Sequence, residues 1–226
     1  QAARLLQAGA VGTPWLVKLD WLMGSRADPQ RGWNWYAQAD QGGGVIGALG
    51  THAMDMLAWL IGPLGAVQAL NSVSIKQRPH PDGGLAAVDA ADVSLLQTVA
   101  HWQGRQDLPV PAQVSLSSVS RNGRGCCLDV RGSAGSLLLS STNQKDYIHG
   151  FELQHAPLGE PFRAVEPDAD LAFPQTWSDG RIAPVVRVLG WWSESIRSGQ
   201  PMMPGLAEGV ASRVACDQAQ ASFAHN

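Results

Sequence analysis

Residues 41–63 read QGGGVIGALGTHAMDMLAWLIGP, and this stretch decides how the rest of the chain is parsed. Three glycines open it, an apolar run with helical spacing follows from Val45 to Ile61, and Gly62-Pro63 ends it. One long helix is predicted there. Gly42, Gly44 and Gly47 satisfy the bare spacing G-x-G-x-x-G. The dinucleotide fingerprint, however, needs a strand just before it and an acidic residue roughly 20 positions later. Here a polar loop precedes the glycines, and Gly62 to Val67 occupies the place of the acid. Gly44 is therefore read as part of a helix start whose amides can meet an anionic or carbonyl oxygen of a substrate; a merely flexible helix start is the plain alternative.

Working outward, Pro14 to Met23 alternates Trp15, Val17, Leu19 and Trp21 against Leu16, Lys18, Asp20 and Leu22, the period-two pattern of a strand. A polar loop from Gly24 to Gln41 links it to the helix. Beyond the helix, strands are predicted at Val67–Lys76, Asp92–Trp102, Ala112–Arg121, Cys126–Arg131, Ser136–Ser140 and Ile148–Gln154, without helices between them. Such a run implies an antiparallel meander. A Pro-rich, partly acidic connection from Ala156 to Phe173 reads as a mobile loop. Two helices follow, at about Ala183–Ser198 and Leu206–Phe223, separated by Gly199, Pro201 and Pro204. The fold class is α+β: a large, predominantly antiparallel open sheet with helices on one face. Its other face needs a partner, so a homodimer or tetramer is expected there.

The formal net charge is −3 and the basic residues are scattered, which argues against nucleic acid as a partner. No apolar run reaches the ~20 residues of a membrane helix. Cys126, Cys127 and Cys216 lack metal-ligand spacing and read as free thiols in a reducing cytoplasm. Without a fixed-period repeat or low-complexity tract, residues 1–226 count as one domain. Gln1 to Gln7 reads as the end of an amphipathic helix stopped near Gly9, so the chain looks like a piece of a longer one.

His52 and Asp55, three residues apart, share a helix face. A histidine titrates near neutral pH and can exchange a proton with an alcohol or carbonyl, which makes His52 the catalytic candidate; a structural histidine is the alternative. A metal pair of His52 and Asp55 is rejected because no third ligand is indicated, and Asp55 is assigned to substrate binding. Trp33, Asn34, Trp35 and Tyr36 can form a stacking wall for a sugar-like or planar substrate, or else serve core packing or an oligomer contact. His80, His101, His149, His155 and His225 have no usable partner spacing.

The segment QGGGVIGALGTHAMDMLAWLIGP resembles the signature of the glucose-fructose oxidoreductase, inositol dehydrogenase and rhizopine catabolism family (Gfo/Idh/MocA), in which a glycine run leads into a helix carrying His, Asp, Trp and a Gly-Pro end. Leu5–Val17, Val130–Leu137 (VRGSAGSL), Ser195–Pro204 and Leu206–Ala221 resemble further parts of the same C-terminal domain, which is like that of dihydrodipicolinate reductase. The resemblance implies an oxidoreductase acting on a sugar, polyol or related carbonyl compound. It also implies that residues 1–9 come from a helix linking to an N-terminal Rossmann domain that is absent from this chain. NAD or NADP, and the lysine of a Glu-Lys-Pro motif, would belong to that domain, so no cofactor site is expected here. One departure stands out. The family often places Asp four residues before the helical His, where this chain has Ala48. That leaves open a catalytically impaired member acting as a ligand-binding or scaffold protein.

Overall fold

The computed structural model describes residues 1–143, 145–146 and 148–223. Its elements in chain order are helix α1 (Ala2–Gln7), strand β1 (Pro14–Leu22), helix α2 (Thr51–Leu60) and strands β2 (Gln68–Ser72), β3 (Gln77–Pro79) and β4 (Leu85–Ala87). Strands β5 (Val93–His101), β6 (Pro109–Ser117), β7 (Gly125–Gly132), β8 (Gly135–Ser141), β9 (Glu152–Pro157) and β10 (Arg163–Ala164) follow, and helices α3 (Ile182–Ser198) and α4 (Leu206–Phe223) complete the series.

Among the described residues, eight strands form one sheet in the order β10-β9-β8-β7-β1-β6-β5-β2, and β3-β4 is a separate hairpin. The sheet is antiparallel except where β1 runs parallel to β6. The predicted meander is therefore split: β1, from the start of the chain, inserts between β6 and β7. The connection from β6 to β7 arches over its end, with Ser120 N donating to Met23 O at 2.9 Å.

Strand bounds shift from the sequence reading for identifiable reasons. β6 begins at Pro109 instead of Ala112, because its pairing with β5 extends to His101↔Pro109 while its pairing with β1 starts only at Ala112. Pro109 and Pro111 thus lie where one side of the strand is still an edge, and a missing N–H is tolerated. The predicted strand Ile148–Gln154 lies at Glu152–Pro157. The Ala156–Phe173 connection also holds more structure than a loop reading allows: β10, a short 3₁₀ turn at Ala169–Leu171, and ion pairs from Arg4 to Asp168 and Asp170 at 2.7 and 2.6 Å.

Alternation along the strands builds the core. Val17, Leu19, Trp21, Leu96, Val114, Leu116, Leu128, Val130 and Leu137 all turn to one face and are buried. Ala53, Met54, Leu57 and Leu60 of α2, with Ala215, Cys216 and Ala219 of α4, complete the same cluster. Small residues on α4 let the helices cross closely: a Cβ at Gly50 would lie 2.9 Å from Cys216 Sγ.

α3 departs from the expectation that both C-terminal helices cover the sheet. Only its Ala183 is buried. Arg187 holds it through the Leu171 and Ala172 carbonyls, while Val185, Leu189, Trp192 and Ile196 stay exposed. The helix forms where it was predicted, but its apolar residues from Val185 to Ile196 face away from the body.

On the outward sheet face, register places Gln68, Gln97, Gln113, Lys18 and Asp129 in one row across five strands. Exposed Leu70, Leu95 and Val99 flank that row.

Candidate functional site

Trp21 lies one residue before the end of β1 and His52 follows Thr51 at the start of α2, and the two side chains meet. Trp21 is 7% exposed, and its indole centroid lies 6.1 Å from that of the His52 imidazole, with the ring planes tilted by 44°. His52 itself is exposed in the first turn of the helix. The helix is reached through a π turn over Ile46–Gly50, a rare winding that concentrates at functional sites. Close packing allows it, since a side chain at Gly47 would collide with the Gly42 carbonyl.

One turn beyond His52, Asp55 is half-buried. Burial pushes its carboxyl up, and the Glu208 carboxylate of α4 pushes the same way, while His52 opposes them. Asp55 thus lies within electrostatic reach of both His52, one turn before it, and Glu208 near the start of α4. Among the described residues, no group of three or more His, Cys, Asp or Glu side chains is placed to hold a metal ion.

The aromatic loop is fixed by its own contacts. Trp33 donates from Nε1 to the Ala87 carbonyl at 2.8 Å and packs on His80 with centroids 5.1 Å apart, so the β3-β4 hairpin anchors it. Asn34 Oδ1 accepts from Tyr36 N at 3.0 Å and starts a 3₁₀ turn. Trp35 is 51% exposed and meets Tyr36 edge-on at 5.6 Å. The Arg26 guanidinium lies 4.0 Å from the Tyr36 ring centroid, and burial pushes the Tyr36 phenol up. Among the described residues, no hydrogen bond or ring contact joins this loop to His52. The loop packs instead on the helix start, where a Cβ at Gly43 would lie 2.6 Å from the carbonyl oxygens of Trp35, Tyr36 and Gln38.

Gly44 is buried, with φ +75°, and a Cβ there would lie 2.5 Å from the Ala91 carbonyl oxygen. That backbone suits glycine, and the close approach it allows is to this chain's own residues 90–91. The amides of Gly42, Gly43 and Val45 donate to Ala39, Gln38 and Ala91 carbonyls. With these donors engaged and a polar loop in place of a preceding strand, the turn does not fit a dinucleotide pyrophosphate.

Sequence reasoning placed Trp21 in the strand's apolar face without connecting it to His52, and it missed Arg26 and Glu208. Only the folded chain brings Trp21 beside His52, Glu208 within reach of Asp55 and Arg26 onto the Tyr36 ring. The other histidines lie elsewhere: His80 against Trp33, His149 with Asp146 and His155 on the Ala10 carbonyl. His101 ends β5, and His225 is outside the described residues.

Residues 1–138 match the GFO/IDH/MocA C-terminal domain. An uncharacterized oxidoreductase of Synechocystis sp. is 44% identical over 218 residues, which cover 95% of this chain and 57% of that protein. Levoglucosan dehydrogenase of Pseudarthrobacter phenanthrenivorans is 32% identical over 88 residues, 38% of this chain and 23% of its own length. Among solved structures, levoglucosan dehydrogenase in complex with NADH and L-sorbose superposes with a TM-score of 0.81 at 22% identity, over 99% of this chain and 60% of that one. An NAD binding oxidoreductase from Klebsiella pneumoniae gives 0.80 at 18%, over 99% and 60%. These two structures establish the shared fold, and the chain spans between half and two thirds of the length of its full-length counterparts. The match over residues 1–138, carried on a sheet and helices of the same arrangement, makes the chain a member of the GFO/IDH/MocA family, corresponding to its C-terminal domain.

Proposed function

We propose that this chain is the substrate-side and oligomerisation half of an NAD(P)-dependent oxidoreductase that acts on a sugar, polyol or related carbonyl compound. The observation that carries the reading is His52, exposed beside Trp21 and Asp55 in a chain of this family. Interconversion of an alcohol and a carbonyl moves one proton at the substrate oxygen. An exposed imidazole at the start of a rigid helix is suited to take or return it. Asp55 binds a substrate hydroxyl beside it, and the Trp33–Tyr36 segment with Gly44 shapes the approach. NAD or NADP would be held by a separate dinucleotide-binding domain and would supply or accept the hydride. A second copy covers the outward sheet face, where the row from Gln68 to Asp129 offers both hydrogen-bonding and charged groups. The cytoplasm is the proposed location. Among the described residues, no helix is long and apolar enough to cross a membrane.

The test is made on the longer chain that includes a dinucleotide-binding domain, screened with sugars and polyols against NAD and NADP. Robust hydride transfer is expected, falling by about 10²–10⁴-fold in His52→Ala with folding retained. Cofactor binding without any turnover would favour a ligand-binding or scaffold role instead. Normal turnover in His52→Ala would remove His52 from the chemistry.

A further inference from the structure

Ile182, Val185, Leu189, Trp192 and Ile196 of α3 are between 39% and 67% exposed. Their spacing alternates three and four, which lines them up as one apolar seam along the helix. Ala183, the buried residue of α3, and Arg187 lie four apart on the opposite side. There Arg187 donates to the Leu171 and Ala172 carbonyls at 3.0 and 2.8 Å, and its guanidinium lies 3.9 Å from the Phe173 ring centroid. The body thus holds α3 by its back and leaves the seam to solvent. A contiguous apolar surface of this kind marks a place that another surface covers. Side chains at alternating three and four spacing interdigitate with those of a second helix at a shallow angle, so the cover is helical.

The stretch that holds α3 also holds α1. Asp168 N donates to Gln1 Oε1 at 3.1 Å, and Arg4 pairs with Asp168 and Asp170 at 2.7 and 2.6 Å. Residues 168–173 therefore tie α1 on one side and α3 on the other. On the reading of this chain as the substrate-side half, the dinucleotide-binding domain joins it through α1 and emerges beside α3. The 218 residues shared with the Synechocystis oxidoreductase are 57% of that protein, and the remaining length, roughly 160 residues, is that of one domain. A doubly wound dinucleotide-binding fold carries helices on both faces of its sheet, and so offers the kind of element that the seam takes. The proposed second copy has a different place, the row from Gln68 to Asp129 on the outward sheet face.

We propose that the α3 seam is the surface on which the dinucleotide-binding domain of the same full-length chain docks, with an apolar helix face of that domain packed along Val185, Leu189, Trp192 and Ile196. The inference rests on the proposed function and adds to it the contact that holds the two halves together. Arg187 and Ala183 fix the seam from behind, and the docked domain buries its front.

The test places single thiols on the two sides of α3: Leu189→Cys and Ile196→Cys in the seam, and Glu194→Cys on the side of Ala183 and Arg187. Each is made in the 226-residue chain and in the longer chain that includes a dinucleotide-binding domain, and labelled with a disulfide reagent at pH 8. Cys126, Cys127 and Cys216 are buried, and their reaction is subtracted by running wild type alongside. The seam thiols should react at least about tenfold more slowly in the longer chain, because the reagent then reaches them only when the docked surfaces open. Glu194→Cys should react at the same rate in both chains. Equal seam rates in the two chains overturn the proposal, and so does slowing of Glu194→Cys to the same degree. Seam protection that fades on dilution would identify a second copy as the cover and overturns it as well. Labelling involves neither nucleotide nor turnover. A longer chain that transfers hydride with its seam thiols unshielded loses this proposal alone, whereas one with shielded thiols and no turnover loses only the catalytic reading.

Discussion

The side chain of Asn71 donates to the Ala219 carbonyl at 2.9 Å and accepts from Ser94 Oγ at 2.5 Å, so one buried amide ties β2, β5 and α4 together. Asn71 is 6% exposed, and water cannot replace these bonds without entering the core. Asn71→Ala should destabilise the chain by about 1–3 kcal/mol, because it strands a buried hydroxyl and a buried carbonyl. Urea unfolding followed by far-UV circular dichroism measures this as a lower midpoint at unchanged slope.

A second prediction concerns acid. Arg4 bonds to Asp170 through two nitrogens and holds its carboxyl below the usual carboxylate range. The folded carboxyl is therefore the stronger acid. Its contribution is in place above the unfolded-chain pKa of about 3.9 and is lost as pH falls through the lower folded value. The stability difference between wild type and Arg4→Gln should be small at pH 7, since these groups are solvent-exposed, and should vanish in strong acid. It should also shrink with added salt. A difference that grew toward acid pH would contradict this assignment.

The cysteines give a chemical readout. Cys126, Cys127 and Cys216 are free and buried, and burial pushes the Cys126 thiol up to about 12 and the Cys216 thiol up to about 11. The thiolate is the reactive form, so native protein at pH 8 should resist a disulfide reagent. Three equivalents should react once guanidinium unfolds the chain. Rapid native labelling would mean that α4 separates readily from the sheet.

Two glycine substitutions should have opposite signs. An added methyl at Gly47 meets the Gly42 carbonyl oxygen, and Gly47→Ala should cost about 1–3 kcal/mol by overpacking the π turn. At Gly190, inside α3, an added methyl meets nothing within 4 Å, and Gly190→Ala should stabilise by roughly 0.5–1 kcal/mol through helix propensity. Thermal melts of the two variants beside wild type check both signs.

The fold class was legible because alternation at Val17, Leu19 and Trp21 and the helical spacing after Gly44 report which faces are apolar. Alternation does not report which strand lies beside which, so the insertion of β1 next to β6 was invisible. It equally hides which way a helix turns its apolar side: α3 forms where predicted but shows Val185, Leu189, Trp192 and Ile196 to solvent. At the candidate site, the placing of His52 and Asp55 one turn apart on one helix was legible from their spacing. The contact of Trp21 with His52 was not, because a buried aromatic on a strand signals core, and only the folded chain brings its ring to the imidazole. The Trp33–Tyr36 segment was singled out as a wall for substrate, and the structure gives its rings anchors in the β3-β4 hairpin and Arg26 that no local pattern announces.

The central claim is that this domain supplies His52 to a reaction whose dinucleotide is held elsewhere, and it is tested most directly by titrating the 226-residue chain with NADH and NADPH while following nicotinamide fluorescence. A well-folded chain should show no saturable change with either nucleotide, consistent with the engaged amides of Gly42, Gly43 and Val45. Saturable binding at one nucleotide per chain would contradict the account and assign a cofactor site to this domain.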